Sequence, residues 1–172
     1  AWISFPRVLC HSWIKDDRIV LIGDAAHTAH FAIGSGTKLG FEDAISLAKH
    51  LDTDASLPEA LKGYQAEREV EALKLQSAAR NAMVWFENAP RYCEAFDTKQ
   101  LNYSMLTRSQ RVSHENLRLR DKDWLESYEM HLASKALGHT VPEPVLPMFL
   151  PFKLRDMQLR NRVVVSPMSM YS

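Results

Sequence analysis

An apolar run, Ile19-Val20-Leu21-Ile22, stops abruptly at Gly23-Asp24-Ala25-Ala26-His27, and Gly34-Ser35-Gly36 then opens a helical pattern from Thr37 to Leu51. Strand, small-residue loop and glycine-opened helix in that order are expected to bring one carboxylate and one helix N-terminus close together. An aspartate just past a buried strand stands at the carboxyl end of a sheet, where α/β folds bind their ligands. Its oxygens accept hydrogen bonds from sugar-type hydroxyls. Gly34 and Gly36 allow a ligand to approach the backbone closely. The first-turn amides, Gly36 to Leu39, carry partial positive charge suited to a phosphate or an anionic ring carbonyl. The other reading is a tight strand-loop-helix junction with Asp24 as a surface cap, and local physics leaves the two open.

The remaining composition narrows the field. A chain of 172 residues, 46% of them hydrophobic, buries one substantial core and a small appendage. The formal net charge is zero, so charge alone implies no polyanionic partner, and nucleic acid is not expected. No apolar run reaches membrane-span length and no secretory signal opens the chain, which makes the cytoplasm the default location. Cys10 and Cys93 lack CxxC spacing and are expected to be free thiols. Gly34, Gly36 and Gly40 do not make G-x-G-x-x-G, and the Gly-Lys-Ser/Thr order of a phosphate loop is absent. His11, His27 and His30 have no acidic or cysteine partner at ligand spacing, so no metal site is expected.

Along the chain, residues 2–10 and 19–22 read as strands separated by a polar turn at Lys15-Asp16-Asp17. The Thr37–Leu51 helix, with Leu39, Ala44, Ile45, Leu47 and Ala48, is expected to be largely buried. Ser56-Leu57-Pro58-Glu59 is a capping box with proline in the first turn, and it starts a long helix that Pro90 ends. One face carries Leu57, Leu61, Tyr64, Leu75, Ala79, Ala82 and Phe86. Arg68 interrupts that stripe, either as a half-exposed snorkelling side chain, the commoner arrangement, or as a buried ion-pair partner. Asp97 to Gln100 offers a second capping box before a helix reaching about Arg108, and a further helix is expected from Asp121 to Leu137 with Gly138 as its stop. Pro142, Pro144, Pro147 and Pro151 then favour an extended connector, placed at 138–150 as a domain boundary. Trp2 to Phe5 reads as mid-strand, and Arg162 to Ser172 as an apolar run with nothing after it to pack against. The chain is therefore expected to span the end of one domain and the start of another.

Gly23-Asp24-Ala25-Ala26-His27, Gly34-Ser35-Gly36 and Glu42-Asp43-Ala44 together resemble the second flavin motif of the single-component FAD-dependent aromatic monooxygenases. The resemblance implies that Gly23, Asp24, Gly34, Gly36, Thr37, Lys38 and Leu39 bind FAD, Asp24 through the ribityl chain and the helix end through the pyrimidine edge of the ring. That edge gains negative charge on reduction, so the helix terminus has a catalytic rationale as well. Most members have Pro-Pro where this chain has His30-Phe31, and Asn where it has Lys38. His30 and Phe31 thus flank the reacting edge and are the candidate catalytic residues. His30 either orients an aryl heteroatom or packs the loop; Lys38 either adds charge near the ring or points to solvent.

Pro151 to Arg155 and Leu159 to Tyr171 resemble the opening of old yellow enzyme-type reductases, a small hairpin followed by the first strand of a TIM barrel. The resemblance implies that Ser166, Pro167, Met168 and Ser169 line FMN at the strand's carboxyl end and that Tyr171 faces substrate. A hydroxylase joined to such a barrel is similar to the bifunctional salicylyl-CoA 5-hydroxylase and 2-aminobenzoyl-CoA monooxygenase/reductase group, whose helical region Leu106 to Arg120 also resembles. The fold class implied is α/β, mostly helical in this segment: the C-terminal part of the hydroxylase fold at 1–137, a linker at 138–150, and the truncated barrel start at 151–172. FAD, NAD(P)H and, for a complete barrel, FMN are the cofactors implied. An aromatic acyl-CoA and O2 are the partners implied, no membrane is, and a homo-oligomer is left open. Arg108, Arg111, Arg118, Arg120 and Lys122 either meet coenzyme A phosphates or form a salt-bridged surface, the commoner arrangement. A helical interaction segment without catalysis, or a flavin-dependent halogenase or epoxidase, are the alternative classes. The segment by itself is expected to bind FAD and FMN weakly or not at all and to show no turnover.

Overall fold

A computed structural model describes residues 6–166. The chain divides into two compact units, Ala1–Val112 and Ser113–Ser172.

In the first unit, β1 (Ile14–Lys15) and β2 (Ile19–Val20) form an antiparallel hairpin that pairs Ile14 with Val20 and Lys15 with Ile19. The expected polar turn joins them, and Asp16 and Asp17 take φ of 52° and 50°, a region aspartate tolerates. The strand expected at residues 2–10 is reduced, among the described residues, to a single bridge between Leu9 and His27; residues 2–5 lie outside them. The 19–22 run is likewise shorter and not buried, with Ile19 and Ile22 exposed. A two-stranded ribbon covers neither face of its strands, so their apolar side chains stay accessible.

Helix α1 (Gly36–Leu51) and helix α2 (Leu57–Glu87) pack against each other. The Ser56/Glu59 capping box forms as expected. The α2 stripe buries Leu61, Tyr64, Arg68, Ala72, Leu75, Ala79 and Ala82, the i, i+3/i+4 spacing of one helix face. Leu57 and Phe86, expected on that face, are exposed. Helix α1 is less buried than its composition suggested: Leu39, Asp43 and Ser46 are covered, while Phe41, Ile45 and Leu51 face outward. Only one face of α1 meets α2, so the opposite apolar residues have no cover within this unit. Trp13, Ala26, Leu39, Tyr64, Ala72 and Leu75 form the core. Pro90 does not simply end α2; it sits in the first turn of α3 (Ala89–Ala95), where its missing N–H costs nothing. Helix α4 (Thr98–Thr107) follows its Asp97/Gln100 capping box.

The second unit holds α5 (His114–Arg120), started by a Ser113/Asn116 capping box, and α6 (Lys122–Leu137), capped by Asp121 and ended by Gly138 at φ 77°. The proline-rich stretch expected to be an extended connector is packed onto α6 instead, with Val141 and Leu150 buried beside Ala133. Proline forbids helix there but not burial. β3 (Phe152–Leu154) and β4 (Met157–Leu159) form the expected small hairpin. The barrel strand expected from Arg162 onward is not formed as far as Ser166: Val163, Val164 and Val165 are exposed without a ladder partner among the described residues. Among the described residues no parallel strand lies beside it to satisfy its backbone. Cys10 and Cys93 are free thiols.

Candidate functional site

The Gly-Asp loop is held from behind by a carboxylate on α1. Gly23 has φ 57° and starts a tight turn over Gly23–Ala25, whose carbonyl accepts the amides of Ala26 and His27, each at 3.0 Å. A positive φ suits glycine and strains any side chain bearing Cβ. Asp43, fully buried, accepts the Gly23 amide at 2.9 Å and the His27 Nε2–H at 2.8 Å on Oδ2. Its Oδ1 accepts the Arg68 Nε–H at 2.8 Å, and Arg68 reaches Glu42 at 3.3 Å. An ionised carboxylate only accepts, so His27 carries its proton on Nε2. Burial raises the Asp43 carboxyl, but the His27, Arg68 and Gly23 donors outweigh it and hold it below the usual aspartate range. For Arg68 burial acts downward and the Asp43 and Glu42 partners prevail, so its guanidinium is held charged. Tyr64 donates to the Leu21 carbonyl at 3.0 Å, and burial first, then the Asp43 charge, pushes its phenol well up. Arg68 is thus the buried ion-pair partner rather than a snorkelling side chain.

Asp24 lies on the outer side of that loop. Its carboxylate is exposed and makes no hydrogen bond or ion pair among the described residues. It lines a cavity of about 630 Å³ with Arg7, His30, Phe31, Gln76 and Arg80 among its walls, a size typical of small-molecule sites. His30 and Phe31 are brought together there, their rings stacked at 4.3 Å. The His30 Nδ1 also accepts the Ala32 amide at 3.2 Å, so the ring packs the loop and borders the cavity at once.

The helix end lies apart from this cavity. Gly34 closes the Phe31–Ile33 turn at φ 64°, and Gly36 is the first residue of α1; a Cβ on either would meet nothing within 4 Å. The N-cap Ser35 makes no side-chain cap, so the Gly36, Thr37 and Lys38 amides have no helical partner. Leu39, expected among the free amides, donates to the Ser35 carbonyl at 3.1 Å, and its side chain is in the core. Ser35, Lys38 and Leu39 border a second cavity of about 290 Å³ that shares no lining residue with the Asp24 cavity. Lys38 is exposed and pairs with Glu42 at 3.3 Å along the helix. The single cleft expected for Asp24 and the α1 terminus is therefore two adjoining stretches of chain bordering two separate cavities.

Ser166 is exposed, and Pro167, Met168, Ser169 and Tyr171 lie outside the described residues. Of the basic cluster, Arg118 bonds Glu115 and Glu129, Lys122 pairs with Glu126 at 3.6 Å, and Arg108 lies over the Phe86 ring at 5.4 Å. These three are engaged with protein groups, as in a salt-bridged surface. The sequence motifs assign no anchoring role to Asp43 and no cavity role to Arg7, Gln76 and Arg80. A signal existed for the first: Asp43 falls on the buried face of α1 between Leu39 and Leu47, and Arg68 on the buried face of α2. Two opposite charges on facing apolar stripes need each other. No comparable signal marks Arg7, whose neighbours in the sequence point to nothing.

Residues 7–79 match the family model described as an FAD binding domain. Over 127 residues the chain is 39% identical to the salicyloyl-CoA 5-hydroxylase of Streptomyces sp., covering 73% of this chain and 24% of that protein. It is 42% identical over 89 residues to the 3-hydroxy-4-methyl-anthranilyl-(aryl-carrier protein) 5-monooxygenase of Streptosporangium sibiricum, covering 52% of this chain and 25% of the relative. With the protodeoxyviolaceinate monooxygenase of Chromobacterium violaceum it shares 33% identity over 109 residues, 58% of this chain and 29% of the relative. The chain thus spans about a quarter of the length of these curated relatives. All three relatives are named as hydroxylases or monooxygenases, and the stretch that matches the FAD binding domain is residues 7–79. Among the described residues no helix is long and apolar enough to cross a membrane.

Proposed function

We propose that this chain is part of a cytoplasmic FAD-dependent monooxygenase that hydroxylates an aromatic acyl-CoA of the salicylyl-CoA or 2-aminobenzoyl-CoA type with NAD(P)H and O2. The observation that carries the proposal is Asp24: an unpaired carboxylate at a cavity of about 630 Å³, on a loop pinned by a buried anchor, inside the stretch that matches an FAD binding domain. The residues present fit that cofactor. Asp24 has both oxygens open to accept ribityl hydroxyls, the Gly36 to Lys38 amides lack partners, and the absent side chains of Gly34 and Gly36 leave space beside them.

FAD, when bound, supplies the oxygen activation, with the electrons drawn from NAD(P)H. The chain's own residues bind and orient. Asp24 would hold the cofactor's sugar chain by accepting hydrogen bonds from its hydroxyls. The α1 terminus, which borders the second cavity, would lend partial positive charge to a ring edge that gains negative charge on reduction. Pro6, Val8, Ala29, Phe31 and Met83 give the Asp24 cavity a largely apolar wall against which an aromatic ring can pack. His30, a proton donor through Nε2 when Nδ1 accepts the Ala32 amide, is placed to orient an aryl oxygen or nitrogen. In this reading residues 1–137 belong to the hydroxylase part and 138–150 join it to a reductase barrel begun at 151–172. Ser166 to Ser169 and Tyr171 would there contribute to an FMN and substrate site, which would supply hydride chemistry.

The test is made on the protein that carries this chain. Asp24→Ala is expected to weaken FAD binding about tenfold or more, from loss of a hydrogen bond to a charged group, and to abolish aromatic acyl-CoA-dependent NAD(P)H oxidation. FAD affinity unchanged by Asp24→Ala, or a protein that neither binds FAD nor forms a hydroxylated thioester, overturns the proposal.

A further inference from the structure

We infer that Arg7 and Arg80 form a two-guanidinium seat for a phosphate-bearing ligand in the wall of the Asp24 cavity. Gln76 organises it. This side chain is 4% exposed on α2, and its Nε2 donates to the Thr28 carbonyl at 2.7 Å and the Val8 carbonyl at 3.1 Å. With the amide so oriented, its Oε1 accepts the Arg7 Nε–H at 3.1 Å. Arg7 is thereby gripped by its inner nitrogen, and the two terminal nitrogens of the fork make no hydrogen bond among the described residues. Arg80 lies one turn beyond Gln76 on the same helix face, lines the same cavity, and makes no hydrogen bond or ion pair among the described residues. Two fully charged, unneutralised forks on one cavity are a poor arrangement for an empty surface and a good one for a bidentate anion.

The charge balance points the same way. Among the described residues that line the cavity, Asp24 is the only carboxylate, and no ion pair joins it to either arginine. Even with Asp24 ionised and accepting hydroxyls, as the proposed function has it, the two arginines outnumber the one carboxylate and leave the lining with a net positive charge. Phosphate esters or diphosphates, with several acceptor oxygens and up to two charges per group, match two forks. The seat itself stands on this geometry, and only the source of the phosphate rests on the flavin reading: the coenzyme A arm of a substrate, or the diphosphate of the cofactor. It also replaces the basic cluster at residues 108–122 as the place to look for phosphate contacts, since Arg108, Arg118 and Lys122 are already engaged.

Isothermal titration of the protein that carries this chain with inorganic pyrophosphate, coenzyme A and FAD, each separately, tests the seat. Arg7 and Arg80 are exposed, so Arg7→Ala and Arg80→Ala should keep the wild-type circular dichroism. Pyrophosphate is expected to bind saturably, with affinity falling about tenfold or more in each variant, as loss of a charge-assisted bond implies, and Arg80→Lys falling between. Coenzyme A following the same loss identifies the substrate arm, and FAD following it identifies the cofactor diphosphate; either supports the seat. FAD failing to bind while pyrophosphate and coenzyme A keep their arginine dependence leaves the seat intact and removes the flavin reading. Phosphate ligands that do not bind, or that bind the alanine variants as tightly as the wild type, overturn the seat whatever FAD does.

Discussion

Each unit of the chain buries one carboxylate between a histidine and an arginine, and the two do different work. In the first, Asp43 takes His27 and Arg68, but also a backbone amide, that of Gly23. In the second, Glu129 takes His114 at 2.7 Å and Arg118, both from α5, and no backbone group among its hydrogen bonds. Burial raises both carboxyls, and the arginine and histidine donors outweigh it, so both are held below their usual range. The difference lies in what the donors belong to. Asp43 gathers a loop and two helices, and its Arg68 is almost wholly buried; Glu129 fastens one short helix to the next, and its Arg118 remains partly open and shared with Glu115. One cluster fixes the loop at the residue next to Asp24, while the other only docks a helix.

That contrast predicts unequal consequences. Asp43→Ala leaves the Arg68 charge and the Gly23 amide without their partner in a dry interior, and is expected to destabilise the first unit by about 3–5 kcal/mol. Hydrogen exchange should then show the Gly23 and His27 amides opening while α5 and α6 keep their protection. A loss spread evenly over both units would erase the distinction.

Acid gives a milder version of the same lesion. A carboxyl held low in the folded state stabilises above its unfolded value, and that stability is lost as pH falls through the folded one. The Gly23 amide should therefore lose protection as pH falls below about 4. In Asp43→Asn that acid dependence should vanish. If it persists, another group controls the loop.

The smallest effect belongs to Glu129→Gln. Arg118 still has Glu115, and a glutamine still accepts from His114, so about 1–3 kcal/mol is expected. It should appear as faster exchange in α5 alone. Exchange at Gly23 that moved with it would show the two clusters to be equivalent.

How much was legible beforehand followed sequence distance. The Ser56/Glu59 and Asp97/Gln100 boxes and the Gly138 stop set helix boundaries through contacts three or four residues apart, and those boundaries stand within a residue or two. The Ser113/Asn116 box carries the same three-residue signal and starts α5. Strand assignments fared worse. Residues 6–10 and 163–166 have strand composition, yet a strand exists only where a partner supplies the other half of its hydrogen bonds.

The chain by itself determined the punctuation: where helices begin and end, where a glycine must turn, and that a lone aspartate follows an apolar run. It also carried enough of a motif to indicate flavin chemistry. The tertiary structure alone decided which charges meet. Arg68 and Asp43 are 25 residues apart, and Arg7 and Gln76 are 69 apart. Capping is an energy between near neighbours, so it is written locally. A buried ion pair or a cavity wall depends on how helix faces are brought together, and only packing settles which of several available partners each charge receives.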